Sequence, residues 1–363
     1  ALAANTTGAN NTAVGANALD ANQTGQDNVA VGANALTAAT GNYNTAVGFV
    51  AMNGKTTGTR NVGIGRGALN GNTTGSRNIG VGYGTLASNL ATNNNVAVGY
   101  EALTANTTGG PNVAIGAYAL DANTTGPSNV AIGYQALTAN TTGDQNVGIG
   151  DSVLADCSTG HKNVGVGTHN QNNLTTGARN TSIGNYAMGN GIITGTNNVG
   201  VGDNTASRLT SGSSNVAVGA TSLFEITTGN NNVAVGYDAL RNNATASNNT
   251  AVGYYSLRLN TTGFANVAVG QAALDANTTG TALVAIGDNA LGANTTANYN
   301  TAVGRNALLA NTTGTSNVAL GAQTLASNTT ASNNTAIGMS ALALNTTGTE
   351  NTMVGSLAGD AVT

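Results

Sequence analysis

A β-branched residue, a very small one, a second branched aliphatic and then glycine recur throughout the chain, as in Val29-Ala30-Val31-Gly32, Val96-Ala97-Val98-Gly99 and Thr301-Ala302-Val303-Gly304. The full unit reads N-[VT]-[AG]-[VI]-G-x-x-A-L-x-x-N-T-T-G-x-x, with positions numbered 1 to 17. Its position-5 glycine occurs 21 times between Gly15 and Gly355. One step is 16 residues (Gly32 to Gly48) and one is 18 (Gly184 to Gly202). Alternation at positions 2 and 4 predicts a short strand that buries those two positions. Position 9, mostly Leu as at Leu19, Leu36, Leu69, Leu103 and Leu274, is expected in the same core. A unit this short, rich in Gly and Asn, cannot supply two stable helices. It suits one coil of a parallel β-solenoid, a β-roll or β-helix, whose strands pair with their equivalents in adjacent coils.

The expected fold is therefore all-β, about 21 coils of 17 residues, continuous over 1–363 with irregular coils at 146–231. One coil buries about three apolar side chains at roughly 1.5–3 kcal/mol each. Ordering its backbone costs about 1–2 kcal/mol per residue. No coil stands alone, so stability must come from stacking. At about 4.8 Å per coil the stack would be a shaft on the order of 100 Å long.

Position 1 is Asn in every copy except Leu283, for example Asn28, Asn61, Asn95, Asn112 and Asn129. Stacked side-chain amides at a corner explain such uniformity. Position 12 is also mostly Asn, including Asn106, Asn123 and Asn140. It turns apolar as a block, through Cys157, Leu174, Ile192 or Ile193, Leu209 and Ile226. A buried amide ladder must change as a block, because one apolar member strands its neighbours. Position 12 is thus expected to point inward. Position 5 never varies, which implies a positive φ or a close backbone neighbour. Position 15 accepts Thr92, Ala246, Ala297 and Ala331, the behaviour of a preferred turn residue. Position 3 is Ala, Gly or Ser until Met353. If positions 2 and 4 face inward, this file of small residues faces outward and invites close packing by another copy; the plainer alternative is another wall of the same coil.

At 363 residues an ordinary chain holds two or three domains, but the unbroken repeat argues for one elongated body. Only 7% of residues are charged, against about a quarter in ordinary domains. Disorder is excluded by the strict register of the apolar positions. A net charge of −4 leaves no basic footprint for nucleic acid. Cys157 is alone and forms no intrachain disulfide. No apolar run is long enough to span a membrane, and nothing reads as a signal peptide. The chain opens in mid-repeat at Ala1-Leu2-Ala3-Ala4-Asn5-Thr6-Thr7-Gly8 and closes on Gly359-Asp360-Ala361-Val362-Thr363, which reads as a processed chain or an excerpt of a longer one.

Asn-Val-Ala-Val-Gly, at 28–32, 95–99, 215–219 and 232–236, resembles the head repeat of trimeric autotransporter adhesins. The longer string at 300–314 is similar to repeats of bacterial and phage tail-fibre proteins. The resemblance implies a left-handed parallel β-roll, assembly as a trimer, and a place on a cell or virion surface. The coil here is longer than the adhesin repeat, and no neck, stalk, anchor or chaperone domain is seen.

Little points to chemistry. His161 and His169 fall at positions 16 and 7, apart from Cys157, so no metal or other cofactor is expected. Asp151, Asp203 and Asp288 share position 6 in non-adjacent coils, and no nucleophile sits in a catalytic motif, so no enzyme is expected. Tyr83 with Tyr100, and Tyr237 with Tyr254, share position 6 of adjacent coils. They form candidate ligand platforms for a sugar face, with turn stabilisation the simpler reading. Arg60 with Arg77, and Lys162 with Arg179, align at position 17, where an acidic glycan or plain solvation would suit them. Thr at position 14 fits either a turn hydroxyl or an ice-binding file. Asn72, Asn106, Asn123, Asn277 and Asn311 open glycosylation sequons, but the inward ladder keeps them from modification. The leading expectation is an extracellular structural fibre, filament subunit or adhesin shaft that self-associates through small-residue faces. One alternative is a glycan- or receptor-binding adhesin or tail-fibre module that recognises its ligand through the irregular coils at 146–231. The other is an ice-binding protein.

Overall fold

The computed structural model describes residues 1–54 and 56–360, so Ala361, Val362 and Thr363 of the closing string lie outside the described residues. Two compact units are present, Ala1–Arg179 and Asn180–Thr363. The first carries ten three-residue strands, β1 (Thr12–Val14) to β10 (Val164–Val166). The second carries eleven, β11 (Thr181–Ile183) to β21 (Thr352–Val354). Within each unit every strand pairs in parallel with its equivalent one coil on, as Val96↔Val113, Ala97↔Ala114 and Val98↔Ile115 in the first, and Val233↔Thr250 in the second. Each unit is a parallel β-solenoid with no helix among the described residues.

Both length changes fall in the same turn, between position 11 and the position-15 glycine. Register therefore survives the short coil (Val29↔Thr45) and the long one (Thr181↔Val199). The long coil absorbs its extra residue between Asn190 and Gly195. Ile193 is fully buried and Ile192 is 65% exposed, so Ile193 holds the inward place.

The glycine of position 5 is required on both expected grounds. Gly116 has φ +133°, and a Cβ there would sit 2.2 Å from the Gly133 carbonyl oxygen of the next coil. A turn follows at once, closed by Ala119 N donating to Gly116 O (3.4 Å). Its third residue, position 7, has positive φ, a conformation open to Gly and Asn. Leu at position 9 also takes positive φ, as at Leu120 (52°). The strain is offset because that backbone turns the side chain into the core, where Leu120 is fully buried.

The strand faces the opposite way from the expectation. Position 3 points inward, with Ala30, Ala97, Ala114 and Ala131 all fully buried, while positions 2 and 4 point outward and are half-buried or exposed. The interior is a thin layer in which position 3 meets positions 8 and 9. The choice between Ala and Gly tracks what lies opposite: a Cβ on Gly80 would lie 2.8 Å from Thr85 Oγ1, on Gly148 3.2 Å from Val153 Cγ1, and on Gly63 2.8 Å from Met52 Cγ. Small residues here are a matter of interior volume, and the small-residue face is not available to another copy.

The amide columns lie where expected. Asn106, Asn123 and Asn140 are fully buried. Asn123 Nδ2 donates to Asn106 Oδ1 (2.9 Å) and Asn140 Nδ2 to Asn123 Oδ1 (2.8 Å). The position-1 column is also buried, and there the next backbone is the donor. Asn28 N reaches Asn11 Oδ1 (2.9 Å), Asn112 N reaches Asn95 Oδ1 (2.9 Å) and Asn129 N reaches Asn112 Oδ1 (2.8 Å). Asn61 Nδ2 also reaches Asn44 Oδ1 at 3.2 Å. The columns converge on the carbonyl of position 15: Gly126 O accepts from Asn112 Nδ2 (2.9 Å) and Asn123 Nδ2 (3.1 Å). The block rule at position 12 leaves a visible scar. Asn140 Oδ1, facing the coil that holds Cys157, is buried with no partner.

Candidate functional site

With position 3 turned inward, the outward strand surface is built from Val, Ile and Thr. Ile64, Ile115 and Ile149 in the first unit are 39%, 38% and 39% exposed. In the second, Ile183, Ile286 and Ile337 repeat the pattern. Ten strands at about 4.8 Å spacing, three residues wide, give the first unit roughly 500 Å² of such face, as large as the largest apolar patch on an ordinary monomer. No charge interrupts it, since positions 2 to 4 contain no ionisable residue.

The expected tyrosine platforms form. Tyr83 and Tyr100 stack with centroids 5.1 Å apart and planes 6° apart; Tyr237 and Tyr254 stack at 5.6 Å and 15°. Tyr118 and Tyr134 extend the first platform edge-on at 5.3 and 6.3 Å. Pairing by position 6 alone missed Tyr118, because it is a position-7 residue. Glu101, the neighbouring carboxylate, raises the pKa of the Tyr100 hydroxyl above its ordinary value by disfavouring the phenolate. Tyr255 joins the second platform, 3.9 Å from Tyr254 by centroid, and Arg258 lies 4.3 Å from its centre. That arginine pairs with Asp275 through Nε–Oδ1 (3.0 Å) and Nη2–Oδ2 (3.2 Å). Burial raises the pKa of Asp275 more than Arg258 lowers it.

Of the cations aligned at position 17, Arg60 and Arg77 find separate partners. Arg60 lies over the Tyr43 ring (5.4 Å), and Arg77 Nε donates to Asn94 Oδ1 (2.7 Å). Among the threonines, position 13 is the one that caps: Thr107 Oγ1 donates to Thr124 O, and Thr124 Oγ1 to Thr141 O, both at 3.0 Å. Position 14, expected to supply a turn hydroxyl, is exposed instead at Thr108, Thr125 and Thr142. The sequon residues Asn72, Asn106, Asn123, Asn277 and Asn311 are buried, with their amide nitrogens committed to the column. Asp151, Asp203 and Asp288 are exposed. Among the described residues no three His, Cys, Asp or Glu side chains gather as a metal would require, and no helix is long and apolar enough to cross a membrane.

Cys157 is fully buried in the position-12 column. Desolvation pushes its thiol up to about 12, outweighing the Gly160 carbonyl contact. A protonated, enclosed thiol is a poor nucleophile. The folded chain at pH 8 should not react with Ellman's reagent, and labelling should follow unfolding in a urea series. Stoichiometric labelling of the native chain within minutes would contradict the burial of this column.

Fold and surfaces together define a 17-residue-repeat parallel β-solenoid with internal asparagine ladders. No protein-family model matches the chain, and none of the curated proteins does.

Proposed function

We propose that the chain is a structural repeat protein of a cell or virion surface, a fibre, filament or adhesin-shaft component that assembles with copies of itself. The observation that carries this reading is the uncharged Val/Ile face on the outside of each unit's strands. Water-exposed aliphatic columns of this extent are costly unless covered. A second copy offers the same columns at the same coil spacing, so two such faces can interdigitate in register. The resemblance to adhesin heads and tail-fibre repeats favours the same assignment and, by analogy, a trimer. Parallel β structure in which the coils of each unit are hydrogen-bonded to their neighbours is mechanically suited to a fibre.

The test is assembly state. Sedimentation equilibrium of the full chain at micromolar concentration should report an oligomer, and a variant charged on both faces (Ile64→Lys, Ile115→Lys, Ile149→Lys, Ile183→Lys, Ile286→Lys, Ile337→Lys) should shift it to monomer. These side chains are partly in water already, so the circular dichroism spectrum should stay that of the wild type. A wild-type chain that remains monomeric up to about 100 μM, weaker than any stable assembly requires, would sink the reading.

A further inference from the structure

In the second unit ionisable side chains gather along one outer edge of the coils. Positions 10 and 11 follow the buried positions 8 and 9, so they belong to the wall across the thin interior from the strand. With each coil numbered by its strand, coil 12 places Arg208 there, coil 13 Glu225, coil 14 Arg241, coil 15 Arg258 and coil 16 Asp275. Coil 11 and coils 17 to 20 carry no ionisable residue at these two positions. The whole chain has only 10 basic residues, yet three of them fall in this short row.

Each arginine is held from within the chain. Arg208 pairs with Glu225, Arg258 with Asp275, and Arg241 with Asp238 of its own coil (3.2 Å). The Phe224 ring lies against both Arg208 (5.5 Å) and Arg241 (5.4 Å), as Tyr255 lies against Arg258. The three arginine side chains still remain 57%, 40% and 30% exposed. A guanidinium has about five N–H donors and a carboxylate about four acceptor sites. Each group can therefore take a second partner while keeping its first.

Along the stack the signs run plus, minus, a neutral pair, plus, minus. Pairing within the chain does not require this order, since exchanging Arg258 with Asp275 would serve it equally. The observed order inverts its signs when reversed about coil 14. Two copies laid antiparallel, with a two-fold axis crossing their contact at coil 14, set every plus against a minus. Laid parallel in register, they set like against like.

We propose that this row docks a second copy of the chain, antiparallel to the first. Arg208 of each copy reaches Asp275 of the other, Arg258 reaches Glu225, and Arg241 lies opposite Asn242 at the axis. The row shifts from position 11 in coils 12 and 13 to position 10 in coils 14 to 16. That offset is about 3.4 Å, within the reach of an arginine side chain. The contact is separate from the Val/Ile strand faces and does not depend on their assembly. Exposed ion pairs are individually weak, so two isolated chains should associate only at about millimolar concentration in low salt. Chains gathered in a fibre present several rows at once and gain by multivalency, which suits the lateral joining of fibres.

The test traps the contact covalently, using the full chain at about 1 mM in low salt with one added cysteine, Asn242→Cys or Ala276→Cys. Cys157 is fully buried and stays out of the reaction. Asn242 lies at the axis and faces its own counterpart. Ala276, in coil 16, faces coil 12 and sits four coils, about 19 Å, from its counterpart, too far for a disulfide. On mild oxidation Asn242→Cys should give a covalent dimer, read on a non-reducing denaturing gel, at least about tenfold faster than Ala276→Cys. Salt at about 0.5 M should slow it by a similar factor. That band reports this contact whether or not the wild type sediments as an oligomer, and salt does not screen an apolar strand face. In the Asn242→Cys background, Glu225→Arg with Asp275→Arg makes both arms of the row positive, and Arg208→Glu with Arg258→Glu makes both negative. Each should lose the dimer alone, and an equimolar mixture should regain it, which a damaged fold could not do. The proposal is overturned if Asn242→Cys gives no dimer, if Ala276→Cys crosslinks as fast, if salt has no effect, or if the mixture gives no dimer.

Discussion

Gly116→Ala should destabilise the first unit by about 3 kcal/mol or more, whereas Gly126→Ala should cost less than about 1 kcal/mol. Contact distance alone would not separate the two. A Cβ on either glycine would lie 2.2 Å from a carbonyl oxygen of the next coil, that of Gly133 or of Gly143. The difference is backbone conformation. Gly116 sits at φ +133°, a region closed to residues with a Cβ, while φ at Gly126 lies outside the range that side chains avoid. The chain itself supports the second half of the prediction. Ala246, Ala297 and Ala331 occupy position 15 and are 6%, 2% and 3% exposed, so the stack admits a buried methyl at this position. No residue but glycine stands at position 5. Urea denaturation of both variants, followed at several wavelengths because repeat arrays need not unfold in two states, measures the difference. Equal penalties would mean that crowding, not φ, dictates the glycine.

Much of this architecture could be read from single residues in register. The parallel pairing follows from the period, and the inward Asn column from the block of Cys157, Leu174, Ile193, Leu209 and Ile226. Which strand face is buried was harder, because three residues alternate equally well in either phase. The preference for β-branched residues in a core pointed to positions 2 and 4, yet the deciding signal was elsewhere in the same repeat. Position 3 is Gly in the coils of Thr85, Val153 and Asn170 at position 8, and it is mostly Ala where position 8 is Ala. Residues that trade volume face each other, so position 3 had to be interior. The irregular coils 146–231 suggest a recognition surface through their variable positions 6–7 and 16–17, and one of them is a residue longer. That irregularity is absorbed in one turn and leaves the strand register intact.

Replacing Asn106 by Asp should be more damaging at neutral pH than replacing it by Leu, and only the Asp variant should recover in acid. Asn106 Nδ2 donates to Gly109 O (2.8 Å) and Asn89 Oδ1 (3.2 Å) inside a fully buried column. Asn106→Leu leaves those two acceptors without that donor, a loss of roughly 2–4 kcal/mol that does not depend on pH. Asn106→Asp puts a carboxylate oxygen against the same acceptors, with no water to screen it. Desolvation and these lone pairs disfavour the ionised form, so the folded-state pKa lies above the unfolded value of about 3.9. The folded chain then binds the extra proton more tightly than the unfolded chain. The variant is therefore most stable below about pH 4, where its protonated oxygen can donate as the amide did, and it loses stability as pH rises through the folded pKa. Thermal midpoints relative to the wild type, taken from about pH 3.5 to 7.5 to bracket that titration, provide the check. A penalty for Asn106→Asp that stays constant across that range would place the side chain in water and remove the amide column from the core.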